Sequence, residues 1–226
     1  MLNQDPSVHL VLASASPRRR ELLALTGWKA EIRPAQADER PQPGEAAHEM
    51  AQRLAHAKAR AVTAGMPLIS LVLAADTIVA HDGDLLGKPA DAAAAQAMLE
   101  SLRGRTHEVV TGLTLLAEGG AWHAEEICTT PVPMRDYTPR EVKEYVASGA
   151  AFDKAGAYGI QDRGFDPVDM SHMTGCFANV MGLPLCHLVR LMSRRALHPA
   201  ADVPAACRAF TGYACGVYPQ ILGSSA

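Results

Sequence analysis

The first third of the chain alternates apolar runs with polar, capped segments. Val11 and Leu12 lie in a short apolar run that predicts a strand. Ser16 and Pro17 then suit a helix N-cap and a first helical residue, so a helix is predicted to begin there. Residues 45–64 carry apolar side chains at helical spacing and predict a second helix, with Arg53, Lys58 and Arg60 on its exposed side. This succession of elements indicates an α/β protein.

The middle of the chain predicts most of a sheet. Residues 68–79 form a nearly unbroken apolar run, typical of a strand covered on both faces, with Asp76 as a polar exception. Asp91 is placed to cap a helix, and the β-rich segments 107–117 and 121–135 predict a hairpin. We therefore expect an α/β fold with a mixed, partly antiparallel sheet and flanking helices.

The last third predicts two helices and a segment without assignment. Thr138 and Glu141 form a capping box at a helix start, and Pro184 begins the last amphipathic helix that the pattern predicts. The remaining residues are rich in Ala, Pro and Gly and match no element. The sequence thus predicts a domain over residues 1–197 and an unassigned tail over 198–226.

Composition narrows the classes of partner. The 226 residues are 48% hydrophobic and carry a net charge of −3, with Lys and Arg spread along the chain. This distribution argues against a general nucleic-acid or membrane-surface binder. Residues 1–10 lack the basic and apolar regions of a leader, so we expect a cytoplasmic protein. Five cysteines without a CxxC pair favour reduced thiols.

Three arginines follow Pro17 at the start of the first predicted helix. Arg18, Arg19 and Arg20 fall in the first turn, where the helix dipole disfavours each cation by a few tenths to about 1 kcal/mol. An anion bound by these side chains and the free backbone N–H groups would offset that cost. The arrangement favours a phosphate-rich ligand. The alternative is solvated surface charge, above all for Arg20.

Acidic residues near strand ends are candidate ligands for a hard cation. Asp76 ends an apolar strand, where burial disfavours its charge unless a metal or another cation compensates. Asp38 and Glu39 follow an earlier strand and offer further oxygen ligands of the kind that Mg²⁺ prefers. The alternatives are a capping role for Asp76 and solvated charge for the other two.

Two lysines and one loop complete the candidate chemistry. Lys88 lies on a short, stiff loop between a glycine and a proline, which can aim its ammonium at a fixed point. Lys58 lies on a helix face, where an ordinary surface position is an equal alternative. Residues 152–161, FDKAGAYGIQ, combine glycines, two aromatics and the Gln161 amide. Such a loop suits a planar base, although simple packing explains it equally well.

Several of these segments are ordered motifs: LASASPRR at 12–19, DER at 38–40, AHAKARAV at 55–62, AADTIV at 74–79, GKP at 87–89, LRGRTHEVVTG at 102–112, YVASG at 145–149, FDKAGAYGIQ, and NVMGLPL at 179–185. In this order they resemble the Maf family of nucleoside triphosphate pyrophosphatases. The resemblance implies two lobes around a deep cleft and, often, a homodimer. It also implies hydrolysis of a nucleoside triphosphate to the monophosphate and pyrophosphate with a divalent cation such as Mg²⁺, Mn²⁺ or Co²⁺.

The resemblance further implies roles for nine residues. Asp76 matches the catalytic acid that would orient and deprotonate water, and Glu39 resembles a metal-linked acid beside it. The phosphate-contacting positions are matched by Ser14, Arg18, Lys58 and Lys88, and the positions linked to base choice by Arg19, Thr77 and Gln161. The AYGIQ form is similar to the branch that prefers dTTP and UTP, so pyrimidine or non-canonical nucleotides are the expected substrates.

The sequence departs from that branch directly after Gln161. Residues 162–178 replace a short glycine-rich turn, which leaves the base preference open. His172, Cys176 and Cys186 suggest a metal cluster by type, but their spacing fits no standard site and packing is favoured.

Two other functions compete with hydrolysis. A non-catalytic nucleotide sensor linked to cell division or septum formation is disfavoured by Asp76 and Lys88 beside the arginines. A P-loop kinase or ATPase is disfavoured because the chain lacks GxxxxGK.

Overall fold

Residues 8–223 are described by a computed structural model of the chain. Residues 1–7, on which the expectation of no leader partly rests, and the last three residues of the predicted tail lie outside that range. One mixed sheet runs through the described chain, in the order β2-β1-β3-β5-β6 with β4 paired to β3. Its strands are β1 (His9–Leu12), β2 (Glu31–Ile32), β3 (Ser70–His81), β4 (Asp84–Leu86), β5 (Thr106–Ala117) and β6 (Trp122–Pro133).

The strand directions confirm the predicted mixed, partly antiparallel sheet. β1 pairs in parallel with β2 and β3, whereas the β3–β4, β3–β5 and β5–β6 pairs are antiparallel. The helices are α1 (Pro17–Ala24), α2 (Ala47–Thr63), α3 (Ala92–Leu102), α4 (Pro139–Ala147), α5 (Phe177–Val180), α6 (Leu185–Ser193), α7 (Val203–Thr211) and α8 (Tyr218–Leu222).

The predicted helix starts are confirmed by their capping contacts. Ser16 accepts a hydrogen bond from the Arg19 N–H, and Asp91 accepts one from Ala94. Thr138 and Glu141 form the reciprocal capping box. These side chains occupy N–H groups that a helix leaves without an internal partner, which explains why the boundaries are readable from sequence.

Alternation along the strands assigns each sheet face to different helices. Val72, Ala74 and Ile78 of β3 pack with residues of α2, whereas Leu71 and Leu73 belong to the larger core that α1, α3, α4 and α6 share. Successive side chains of a strand point to opposite faces, so Asp76 lies on the α2 face and its neighbour Thr77 on the other.

One edge of β3 has a gap between its two neighbours. β1 is paired with β3 only as far as Leu73, and β4 begins to pair with it at Val79. Between these points, at residues 74–78, neither strand covers that edge. The chain leaves β1 at this height and enters α1, so loop and helix residues surround the uncovered stretch.

Three details of the predicted elements are wrong. Leu68 and Ile69 precede β3 and are 70% and 66% exposed, because the strand begins only at Ser70. β4 was not predicted, since three residues after a turn are too short for a periodic signal. The helix that Pro184 begins is followed by α7 and α8, so it is not the last.

The segment after residue 198 packs against the preceding helices. Val203 is buried, and the Tyr213 hydroxyl donates to the Met173 carbonyl at 2.7 Å. The five cysteines of the chain are all free. Between residues 8 and 223, no helix combines the length and the hydrophobicity that crossing a membrane requires.

Candidate functional site

A cavity of about 610 Å³ opens beside the uncovered stretch of β3. Its walls include the segment after β1, the start of α1, α2, β3, β4 and the loops that follow β2, β4, α4 and α5. All nine residues singled out in the sequence line it: Ser14, Arg18, Arg19, Glu39, Lys58, Asp76, Thr77, Lys88 and Gln161. The structure thus brings together residues that are up to about 150 positions apart in sequence.

Two carboxylates and one ammonium meet at the wall of the cavity. Lys58 Nζ donates to Asp76 Oδ1 and, at 2.6 Å, to Glu39 Oε1. Asp76 and Lys58 are buried, whereas Glu39 comes from an exposed loop. The hydrogen bond from Lys58 lowers the pKa of Glu39 against the opposing effect of burial. The placement of Lys58 on the exposed side of α2 is therefore wrong, because the helix turns that lysine toward the sheet.

The first two arginines of α1 have different partners. Arg18 Nη1 donates to Asp153 Oδ2 at 2.9 Å, while its side chain stays 25% exposed. Arg19 donates to the Gly182 carbonyl at 2.8 Å and to Thr77 Oγ1 at 3.0 Å. Burial lowers the pKa of Arg19, and the charge of Asp76 opposes that shift. Arg18 is thus placed to meet a ligand, whereas Arg19 is held by the protein.

The other predicted cations differ in exposure. Arg20 is exposed and does not line the cavity, in agreement with the surface-charge alternative. Lys88 is exposed at the cavity wall, and its charge helps to lower the pKa of Glu39. Ser14 is buried, and its hydroxyl accepts a hydrogen bond from the Ser16 N–H at 3.2 Å.

The two aromatics of the FDKAGAYGIQ loop have unequal positions. Tyr158 is buried at the cavity wall, with its hydroxyl 2.7 Å from His107 Nε2. Phe152 is 38% exposed and is not part of the cavity wall. Gln161 is exposed within the cavity, where its amide is accessible.

Sequence reasoning missed two charged residues of this loop. Asp153 and Lys154 line the cavity and are paired with each other at 2.6 Å. The sequence did contain a signal for these two residues. An Asp-Lys pair inside a glycine-rich loop is costly to bury unless each charge has a partner, so such a pair indicates partners elsewhere in the fold. The partner of Asp153, Arg18, lies 135 residues away, so no local pattern announces the contact.

The donor set suits a hard divalent cation only in part. Asp76 and Glu39 both contact a single ammonium, which puts their oxygens within reach of one shared cation. No cluster of three or more His, Cys, Asp or Glu residues suited to a metal occurs in the range 8–223. Mg²⁺ is commonly held by one or two carboxylates together with substrate phosphates, and two carboxylates fit that mode.

Comparison with known proteins agrees with this arrangement of motifs. Residues 9–195 match the family described as Maf-like protein. The chain belongs to this family. Proteins named dTTP/UTP pyrophosphatase are among the relatives of this Maf-like chain. That of Dehalococcoides mccartyi is 42% identical over 190 residues, covering 84% of each chain. Those of Salinibacter ruber and Anaeromyxobacter sp. are 45% and 46% identical, covering 82% and 84% of this chain and 90% of their own.

Proposed function

We propose that this Maf-like protein hydrolyses a nucleoside triphosphate to the nucleoside monophosphate and pyrophosphate. Two facts support the proposal: the relatives carry the name dTTP/UTP pyrophosphatase, and cationic and acidic residues converge in one cavity. The observation that carries most weight is Asp76, a buried carboxylate on the uncovered stretch of β3 with Lys58 against it. Such a pair can handle a proton beside a phosphate.

In the proposed reaction, water attacks the α-phosphorus and the bond to the bridging oxygen of the β-phosphate breaks. Asp76 orients the water and accepts its proton. Lys58 Nζ fixes the Asp76 carboxylate by donating to Oδ1. The second oxygen, Oδ2, accepts no hydrogen bond from residues 8–223 and faces the reaction as the base. Pyrophosphate leaves with the electron pair of the broken bond.

Three positive groups would offset the charge of the triphosphate. Arg18, Lys58 and Lys88 all line the cavity, and Lys58 lies beside Asp76. Positive charge fixed in advance near the breaking bond is usually the largest contribution to catalysis of phosphoryl transfer.

We propose a divalent cation as the cofactor, held by Asp76 and Glu39. Mg²⁺, Mn²⁺ and Co²⁺ are the candidates, and such an ion supplies positive charge against the triphosphate and acidifies water. The contact of both carboxylates with the same Lys58 ammonium supports this assignment, because it brings the two carboxylates close enough together to bind one ion beside the lysine.

The base is proposed to be uracil or thymine. Gln161 offers one carbonyl and one NH₂ group, which complement the N3–H and O4 edge of these bases. Cytosine presents the reversed edge and would be used less well. The names of the relatives support the same choice.

The proposed oligomeric state and domain boundaries rest on the family resemblance. We propose residues 1–197 as the hydrolase domain, a homodimer as the assembly, the cytoplasm as the location, and neither nucleic acid nor membrane as a partner. Light scattering of the purified chain tests the dimer.

A screen of triphosphates with each of the three metals tests the proposal. Pyrophosphate release is followed for the unaltered protein, for Asp76→Asn, and for Asp84→Asn as a matched control at the exposed first residue of β4. Asp76→Asn should lower turnover by about a hundredfold or more, since it removes the base. The control should keep it. Nucleotide binding without pyrophosphate release in the unaltered protein would instead support a sensor.

A further inference from the structure

A chain of charged contacts follows the cavity wall away from Arg18. Asp153 uses both carboxylate oxygens in it: Oδ2 accepts from Arg18 at 2.9 Å, and Oδ1 accepts from Lys154 Nζ at 2.6 Å. Burial favours the neutral acid, but the hydrogen bonds from Lys154 and Arg18 prevail and lower the pKa of Asp153. One ionised carboxylate therefore ties Arg18 to a buried lysine.

Lys154 is held at a single position by three oxygens. Its ammonium is buried, donates to the Ala150 carbonyl at 2.6 Å and contacts Asp162 Oδ2 at 3.2 Å, in addition to Asp153. An ammonium has three N–H donors, so these contacts account for all of them. A buried charge is stable only with such partners, and removal of one strongly destabilises it.

Asp162 links this lysine to the turn that carries Gln161. Its Oδ2 accepts from the Tyr145 hydroxyl at 2.6 Å, and that hydroxyl accepts from the Gly159 N–H at 3.2 Å. The Asp162 N–H also closes the turn by donating to the Gly159 carbonyl at 3.2 Å. A Cβ on Gly159 would lie 2.6 Å from Asp162 Oδ1, so the carboxylate packs directly on the turn.

We propose that Lys154 and Asp162 are positioning residues that couple the phosphate end of the cavity to its base end. Lys154 acts through Asp153 on Arg18, and Asp162 acts through the turn on Gln161. The inference rests on the proposed function for the roles of Arg18 and Gln161. It goes beyond that function because neither positioning residue has to touch the nucleotide.

The proposed coupling has a physical basis: groups that are already ordered before the nucleotide binds lose less conformational freedom on binding. A free arginine and a free glutamine would each lose rotamer freedom when the nucleotide binds, which weakens binding by about twofold to tenfold per side chain. In the unliganded protein the network holds the Arg18 side chain through Asp153 and the backbone turn that carries Gln161. Breaking it should therefore weaken affinity and blur base preference together, whereas a purely structural role would only lower stability.

Calorimetric titration with α,β-methylene analogues of UTP and CTP tests the coupling without turnover. Lys154→Met and Asp162→Asn remove one charge each at nearly constant shape. Lys143→Met and Asp166→Asn, both exposed, make the same changes outside the network. Each network variant should weaken UTP-analogue binding by about tenfold, and Asp162→Asn should also reduce the preference over the CTP analogue severalfold. Both controls should stay within about twofold.

A double-mutant cycle separates positioning from structural damage. If Lys154 acts through Arg18, Lys154→Met should have little further effect on affinity in an Arg18→Ala background. Additive effects, or unchanged affinity and preference in folded variants, would overturn the proposal. Should Lys154→Met fail to fold, Asp162→Asn alone decides it, since that variant keeps an acceptor for Tyr145.

Pyrophosphate release measured in parallel separates this inference from the proposed function. If the unaltered protein binds the analogues yet releases no pyrophosphate from UTP, the proposal of hydrolysis is wrong, but the binding titrations still test the coupling. If it binds neither analogue, both proposals fail.

Discussion

The contact between α2 and β5 offers a direct test of how the fold positions the site. Gly112 lies opposite Asp76 in the β3–β5 register, and the backbone of Ala51 in α2 rests on it. A Cβ on Gly112 would lie 2.7 Å from the carbonyl carbon and oxygen of Ala51. Gly112 does not have a positive φ, so its glycine is required by this close approach and not by backbone conformation.

Gly112→Ala should therefore displace α2 from the sheet. Ordinary contact begins at 3.4 Å, so the helix has to move by about 0.7 Å. Overpacking of this kind costs about 1–3 kcal/mol, which corresponds to a fall in Tm of about 2–12 °C for a chain of this size. Lys58 lies two turns further along the same helix, so its contact with Asp76 should lengthen. A misplacement approaching 1 Å can lower kcat/KM by up to about a hundredfold.

Thermal melting and pyrophosphate release measure the two effects on the same sample. Gly216→Ala is the matched control, because no atom lies within 4 Å of its added Cβ and its φ is not positive. The reasoning is refuted if Gly112→Ala melts within 1 °C of the unaltered protein and keeps its kcat/KM.

Three further outcomes are expected. Lys88→Ala and Arg18→Ala should each lower kcat/KM by about a hundredfold while Tm changes by only a few degrees, because both side chains are partly or fully exposed; a large loss of Tm with normal turnover would make either residue structural. Gln161→Ala should bring the kcat/KM values for UTP and CTP together, and an unaltered ratio would move base choice to residues 162–178. Burial and a neighbouring histidine lower the pKa of His107 to about 3 from 6.5, so the neutral ring stabilises the fold fully above pH 6.5 and this contribution is lost as pH falls toward 3. Between pH 6 and 4, the free energy of unfolding measured by denaturant titration should fall with acid less steeply in His107→Gln than in the unaltered protein, by about 1.4 kcal/mol per pH unit. Parallel curves for the two proteins would contradict the burial argument.

Local signals made the main elements predictable from sequence. Helix starts at Ser16, Asp91 and Thr138 depend on side chains that bond to N–H groups three residues away, so the information is contained in a short window. The signal for the hairpin of β5 and β6 was equally local. No local signal marked β4, because its three residues form a strand only by pairing with β3.

The sequence identified residues of the site, but not the contacts between them. Motifs that resemble the Maf family named nine residues that line the cavity but not Asp153 or Lys154, and the helical pattern alone left a surface position for Lys58 as an equal alternative. The difference depends on which side of α2 meets the sheet, and that is set by Gly112, Met50 and Leu54. The pairing of Arg18 with Asp153 was likewise invisible, because no periodicity connects residues so far apart.

The contacts of Arg19 affect when the site can form during synthesis and folding of the chain. This arginine is synthesised well before the carbonyl that holds it, which belongs to Gly182, 163 residues later. Contacts of such sequence separation form late, because closing the intervening chain costs entropy before any contact is gained. A nascent or truncated chain that ends before residue 182 therefore lacks this contact and can hold Arg19 only through Thr77, so the arginine reaches its final position only after the chain has been made as far as Gly182.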